Sequence, residues 1–135
     1  MTNLEDEIEV IEAGYEFLLA YAAQGRPAQN ENVGPGPKPR KMLQDMFDAM
    51  KSAGERLAGA DGEFEQVIVQ DLKKAQAALG FVLAQPGIGS EVVDNLNASI
   101  HLRTVLTDFF LYSEAFKPLG GTEQAQQPAW DKVGN

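Results

Sequence analysis

The sequence predicts an all-α fold: a four-helix bundle, antiparallel, with a long Pro/Gly-rich loop after helix one and an irregular C-terminal tail. Three observations carry that expectation. Apolar residues recur at spacings of three and four in four separate stretches, the period of a helix with one buried face. Glycine, proline and capping residues punctuate the intervals between them. Period-two alternation is missing: Val67-Ile68-Val69 is the one strand-like patch, and its flanks have helical period. Helices joined mostly by short turns pack as an up-down bundle, here over residues 1–117, with 118–135 as the tail. The long first connection also has the reach to cross the bundle.

Helix one opens at Thr2 or Asn3. Thr2 with Glu5 has capping-box spacing, and Glu5, Asp6 and Glu7 suit the positive end of the helix dipole. Leu4, Ile8, Ile11, Tyr15, Leu18 and Ala22 form its inward stripe, and Gly25 and Pro27 end it. Residues 25–40 hold four prolines and three glycines, GRPAQNENVGPGPKPR. Such a stretch sustains neither helix nor central strand and is expected to be a long, mobile loop.

Helix two is predicted from about Arg40 to Ala58, with Leu43, Met46, Phe47, Met50, Ala53 and Leu57 inward. Asp61 is the expected cap of helix three, Glu63 to about Ala84, which turns Phe64, Val67, Ile68, Leu72, Ala75, Leu79 and Val82 to the core. Pro86, Gly87 and Gly89 break it, and Ser90 caps helix four, read as one element from Glu91 to Phe116. The first half of helix four is amphipathic. The second half, from Leu102, is apolar nearly all round and should be buried on most sides.

Composition narrows the function. The 135-residue chain has no cysteine, which removes disulfides, thiolate metal sites and cysteine nucleophiles. A lone histidine, His101, precludes a multi-histidine metal centre. A formal charge of −9 repels phosphate backbones and anionic membranes. No apolar run reaches the roughly 20 residues needed to span a bilayer, and the acidic start lacks a signal pattern. No nucleic-acid or membrane partner is expected, and the location is expected to be cytoplasmic. Gly34-Pro35-Gly36-Pro37-Lys38 lacks the strand, the Gly-Lys-Ser/Thr ending and, because of its prolines, the N–H groups of a phosphate loop. No catalytic residue, cofactor or metal is assigned.

What remains is surface. Glu5, Glu9, Glu12 and Glu16 fall on one narrow stripe of helix one, directed away from the core and without the Glu-x-x-His pairs of a di-iron bundle. Val10, Gly14, Phe17 and Tyr21 continue the apolar surface around the far side. A helix with two adjoining apolar faces is central in its domain or lies at an interface. Gly14 would let a neighbouring backbone approach. These four, with Trp130 in the polar tail as a possible anchor, are the candidate interface residues. The basic cluster Lys38, Arg40 and Lys41 is poorly matched to a helix start and hints at pairing with an acidic stripe on a neighbour. Met42, Met46 and Met50 read as core.

On helix four, His101 shares a polar stripe with Asp94, Asn97, Thr104 and Asp108, and Arg103 projects to the apolar side near Leu96 and Phe110. A guanidinium there needs a carboxylate or an anionic ligand. The aromatic cluster Phe109, Phe110, Tyr112 and Phe116 is core, a protein-protein surface or the lining of an apolar pocket, with core packing the commonest use of such a cluster. The leading expectation is a non-catalytic accessory, assembly or regulatory protein. It would act on a protein partner or on copies of itself through helix faces, with the acidic stripe setting orientation. The alternative is a binder of an anionic or apolar small molecule, or an enzyme, with its site between helices at Arg103, His101 and Asp108.

Overall fold

The computed structural model describes residues 3–116. They form five α-helices and one short 3₁₀ turn, Ala28–Asn30, with no strand among the described residues. The helices are α1 (Leu4–Ala22), α2 (Pro39–Leu57), α3 (Glu63–Leu83), α4 (Ser90–Ala98) and α5 (His101–Ala115). α1 packs along α2, α2 along α3, and α3 along α5, while α1 also touches α4 and α5. None of the described helices is long and apolar enough to cross a membrane.

Asn3 caps α1, its Oδ1 accepting from Asp6 N at 2.9 Å, an arrangement worth about 1 kcal/mol. The buried stripe of α1 is Leu4, Glu7, Ile11, Gly14, Leu18 and Tyr21. It draws on both predicted apolar faces, and Ile8, Tyr15, Phe17 and Ala22 pack at its margins. One broad face is thus consumed by the fold itself. At Gly14 a Cβ would overlap the Met46 side chain, so what comes close there is a side chain of α2 in the same chain. The stripe also hides a charge. Glu7 is buried and accepts from Arg56 Nε at 2.9 Å and from Ser52 Oγ, joining α1 to α2.

α2 starts with Pro39 in its first turn, where the missing N–H costs nothing, and buries Leu43, Met46, Met50, Ala53 and Leu57 as predicted. α3 buries Ile68, Leu72, Ala75, Leu79 and Val82, but Val67 is exposed. Its cap is Gly62 rather than Asp61, with Glu65 Oε1 accepting from Gly62 N at 3.2 Å. Ser90 is likewise not the cap of α4. Gly89 takes that position, and the Ser90 hydroxyl is directed elsewhere.

Residues 26–40 are tied down rather than free. Ser90 Oγ donates to Tyr21 O at 2.6 Å and accepts from Arg26 N at 2.7 Å, while Ser90 N donates to Arg26 O at 2.7 Å. Tyr21 Oη donates to Ile88 O at 2.6 Å. Farther along, Glu31 is 7% exposed and holds three bonds. It accepts from Arg40 Nε at 3.0 Å and Nη2 at 3.1 Å, and from Ile88 N at 2.8 Å. Arg40 also donates to Leu83 O at 2.7 Å and Gln85 O at 3.0 Å. A cation at the start of its own helix is a poor match, but here it satisfies carbonyls at the end of α3. The segment comes so close to the 87–89 turn that a Cβ on Gly89 would press on Arg26 O and Ala28 N, both at 2.8 Å.

Two expectations follow from this clamp. Gly89→Ala forces backbone against backbone and should lower stability by about 1–3 kcal/mol in denaturant titration. The Arg40 bond and the Ile88 amide hold the Glu31 carboxyl below its usual range, against the opposing effect of burial. A depressed folded-state value means stability that is present above the unfolded carboxyl value and lost as pH falls through the folded one. Glu31→Gln should therefore lower the melting temperature at pH 7 and leave a shallower decline on acidification through and below the ordinary carboxyl range than the parent shows.

Candidate interaction surface

The predicted single fourth helix is two. Ile100 adopts φ 63°, ψ 1°, the left-handed region, which for a β-branched residue costs roughly 1–2 kcal/mol. The cause is visible just before it. Asn97 donates its side-chain amide to Leu18 O at 3.2 Å, and Ser99 Oγ turns back to Leu96 O at 2.6 Å. Short polar side chains that bond the backbone compete with helix continuation. Ile100 O then accepts from Thr104 N at 2.8 Å to begin α5.

The break resets which side of α5 faces inward. Leu102, Val105, Leu106, Phe109 and Tyr112 are buried. Arg103, Thr107, Phe110, Leu111 and Glu114 are exposed, at the three- and four-residue spacing of one helix face. Phe110 is 48% exposed and Leu111 59%, and Ile100 at the joint is 57% exposed. The second half of the segment is therefore not buried all round. It divides into an inward apolar stripe and an outward row that is apolar at Phe110 and Leu111. The aromatic cluster divides with it: Phe109 and Tyr112 lie inward, Tyr112 meets Phe116 edge-on at 5.1 Å, and Phe110 faces solvent.

The predicted interface residues on α1 are dispersed by the fold. Tyr21 is 2% exposed, Gly14 is filled by Met46, and Phe17 is half-buried, stacked on Tyr21 with ring centroids 5.8 Å apart. They serve the chain's own packing because the α1 face is broad enough to meet both α2 and α4. Val10 stays exposed, in a groove of about 280 Å³ between α1 and α2 lined by Asp6, Asp45, Asp48, Ala49 and Ser52. Trp130 lies outside the described residues.

Arg103, His101 and Asp108 do not converge. Arg103 is on the outward row, whereas Asp108 lies half-buried, about 140° around α5 at ~100° per residue. His101 is half-buried on the same stripe as Asp108, two turns away. The basic cluster is engaged within the chain. Lys38 donates to Gly34 O, Arg40 pairs with Glu31, and Lys41 pairs with Asp45 at 2.7 Å. Among the described residues no group of three or more His, Asp or Glu is placed to hold a metal ion. Glu5, Glu9 and Glu16 are exposed, and Glu12 is half-exposed.

The chain matches no family model, no curated protein and no solved structure.

Ile100 itself carries two costs, a left-handed backbone and an exposed side chain that no described residue covers. Ile100→Gly or Ile100→Asn should therefore raise the stability of the isolated protein by about 0.5–1 kcal/mol in chemical denaturation.

Proposed function

We propose that this chain is a non-catalytic accessory or regulatory protein that docks a partner protein on the outward row of α5. In this reading α4 and α5 share the fourth leg of an antiparallel four-legged bundle, so that the break at Ile100 serves to turn Phe110 and Leu111 outward. The observation that carries it is that row: Ile100, Phe110 and Leu111 at 48–59% exposure beside a joint whose β-branched residue holds a left-handed backbone. Backbone strain of this kind clusters at functional sites.

Magnitudes select the kind of partner. Covering the exposed halves of three such side chains yields roughly 2–4 kcal/mol, and a micromolar complex needs about 8 kcal/mol beyond the cost of association. The remainder falls to polar and electrostatic contacts. The chain carries −9 overall, a glutamate row on α1, and a basic cluster already used internally. Two copies brought together would repel, whereas a basic partner would gain from the same field. The partner is therefore a protein with an apolar patch bordered by lysine or arginine. The small-molecule reading at Arg103, His101 and Asp108 has no converging geometry behind it.

The test is Leu111→Asp, a surface change that leaves the core untouched. In native extract the parent should retain a basic protein whose recovery falls several-fold between 50 and 200 mM salt, and Leu111→Asp should lose it. Sedimentation that instead shows concentration-dependent dimers, abolished by the same change, would assign the row to a second copy. Retention of the same partner by Leu111→Asp would remove α5 from the account.

A further inference from the structure

The seam that seats α5 contains two acids facing each other. Asp71 of α3 stands within hydrogen-bonding contact of Asp108 of α5. Asp108 Oδ2 is buried, and among the described residues no donor reaches it. Two ionised carboxylates have no hydrogen to share and repel at this range. When protonated, one becomes a donor and the contact becomes a bond. We propose that a single proton shared by Asp71 and Asp108 fastens α5 to α3, and that its loss loosens α5, making the proposed docking row responsive to pH. The part that concerns docking rests on the function proposed above, whereas the proton-held seam does not.

Among the described residues the surroundings leave the pair to itself. α1, α3 and α4 pack on α5. On α1, Glu5, Glu9 and Glu16 are exposed, Glu12 is half-exposed, and Glu7 is paired with Arg56. On α3, Lys73 and Lys74 are exposed and Glu65 accepts from Tyr112 Oη. On α4, Glu91 and Asp94 are exposed. On α5 itself, Arg103 and Glu114 face outward, and His101 is two turns, about 10 Å, from Asp108. None of these cations lies against the pair to neutralise it, so burial and Asp71 together push the Asp108 carboxyl up to about 7. Because the folded-state value is raised, the stabilisation is complete below the ordinary carboxyl value and is lost as pH rises through neutrality.

Asp108→Asn tests this, since an amide donates to an ionised Asp71 at every pH. Thermal unfolding and amide hydrogen exchange, corrected for intrinsic rates, would be followed from pH 6 to pH 8 in a His101→Gln background, which removes the imidazole. The parent should lose about 4 °C or more over that range. Protection in α5 should drop about tenfold more than protection in α2, and Asp108→Asn should hold both nearly constant. Asp71→Asn is the second variant and should behave alike. Parallel pH profiles in the parent and in whichever variant folds would overturn the shared proton, as would loss of protection spread evenly over α2 and α5. A pH response that persists while Leu111→Asp leaves partner recovery unchanged would sink the docking function and spare the seam.

Discussion

One carboxylate organises the end of the molecule where four segments meet. Glu31 binds Arg40 through two parallel bonds and the Ile88 amide through a third, while Arg40 reaches on to the last carbonyls of α3. The connection from α1, the start of α2, the end of α3 and the approach to α4 are thereby held in one polar knot. Prolines and glycines supply almost no burial to hold such a stretch. Its order depends on these bonds, and a buried pair of this kind has value chiefly because breaking it strands a charge. With the knot in place, Ser90 and Tyr21 can fix where α4 begins. The rotation of everything after it, α5 included, is set from there.

That rotation links the fold to the proposed function. A single straight helix from Glu91 to Phe116 would have carried its apolar residues around in one continuous spiral. The left-handed residue at Ile100 restarts the count. Five apolar side chains of α5 turn into the core, and Phe110 and Leu111 are left outside. The same restart brings Asp108 against Asp71. Exposed row and acidic seam lie on different sides of one helix, so what loosens one side is felt on the other. The exposed glutamates of α1 and the net charge of −9 add a field that favours cations over a second copy of this chain.

Much of the helical skeleton was legible because it rests on period alone. The stripes of α2 and most of α3 match the predicted residues, and the boundaries of α2 and α3 differ from expectation by a residue or so. Several of the misreadings share a cause, a partner distant in sequence. Tyr21 and Gly14 looked like surplus apolar surface until Ile88 and Met46 arrived to use them. Ser90 has the composition of a cap, but its hydroxyl is taken by Tyr21 O. Arg40 looked misplaced because its acceptors, Leu83 and Gln85, lie more than forty residues on. The break at Ile100 did leave a local trace, the run Asn95-Leu96-Asn97-Ala98-Ser99, whose short polar side chains favour backbone bonds over helix. The pairing of Asp71 with Asp108 left none, since two acids on different helices carry no signal of facing each other.

The notch at Gly14 has a chemical consequence of its own. Met46 fills it and is fully enclosed, as is Met50, whereas Met42 is only half-buried. Peroxide acts on thioethers that solvent can reach, and conversion of one to the sulfoxide adds a polar oxygen that a glycine-sized gap cannot accept. Of these three, Met42 should be spent first while the fold stays intact. Modification of Met46 would mark molecules in which the first two helices had already parted, and would keep them from closing again.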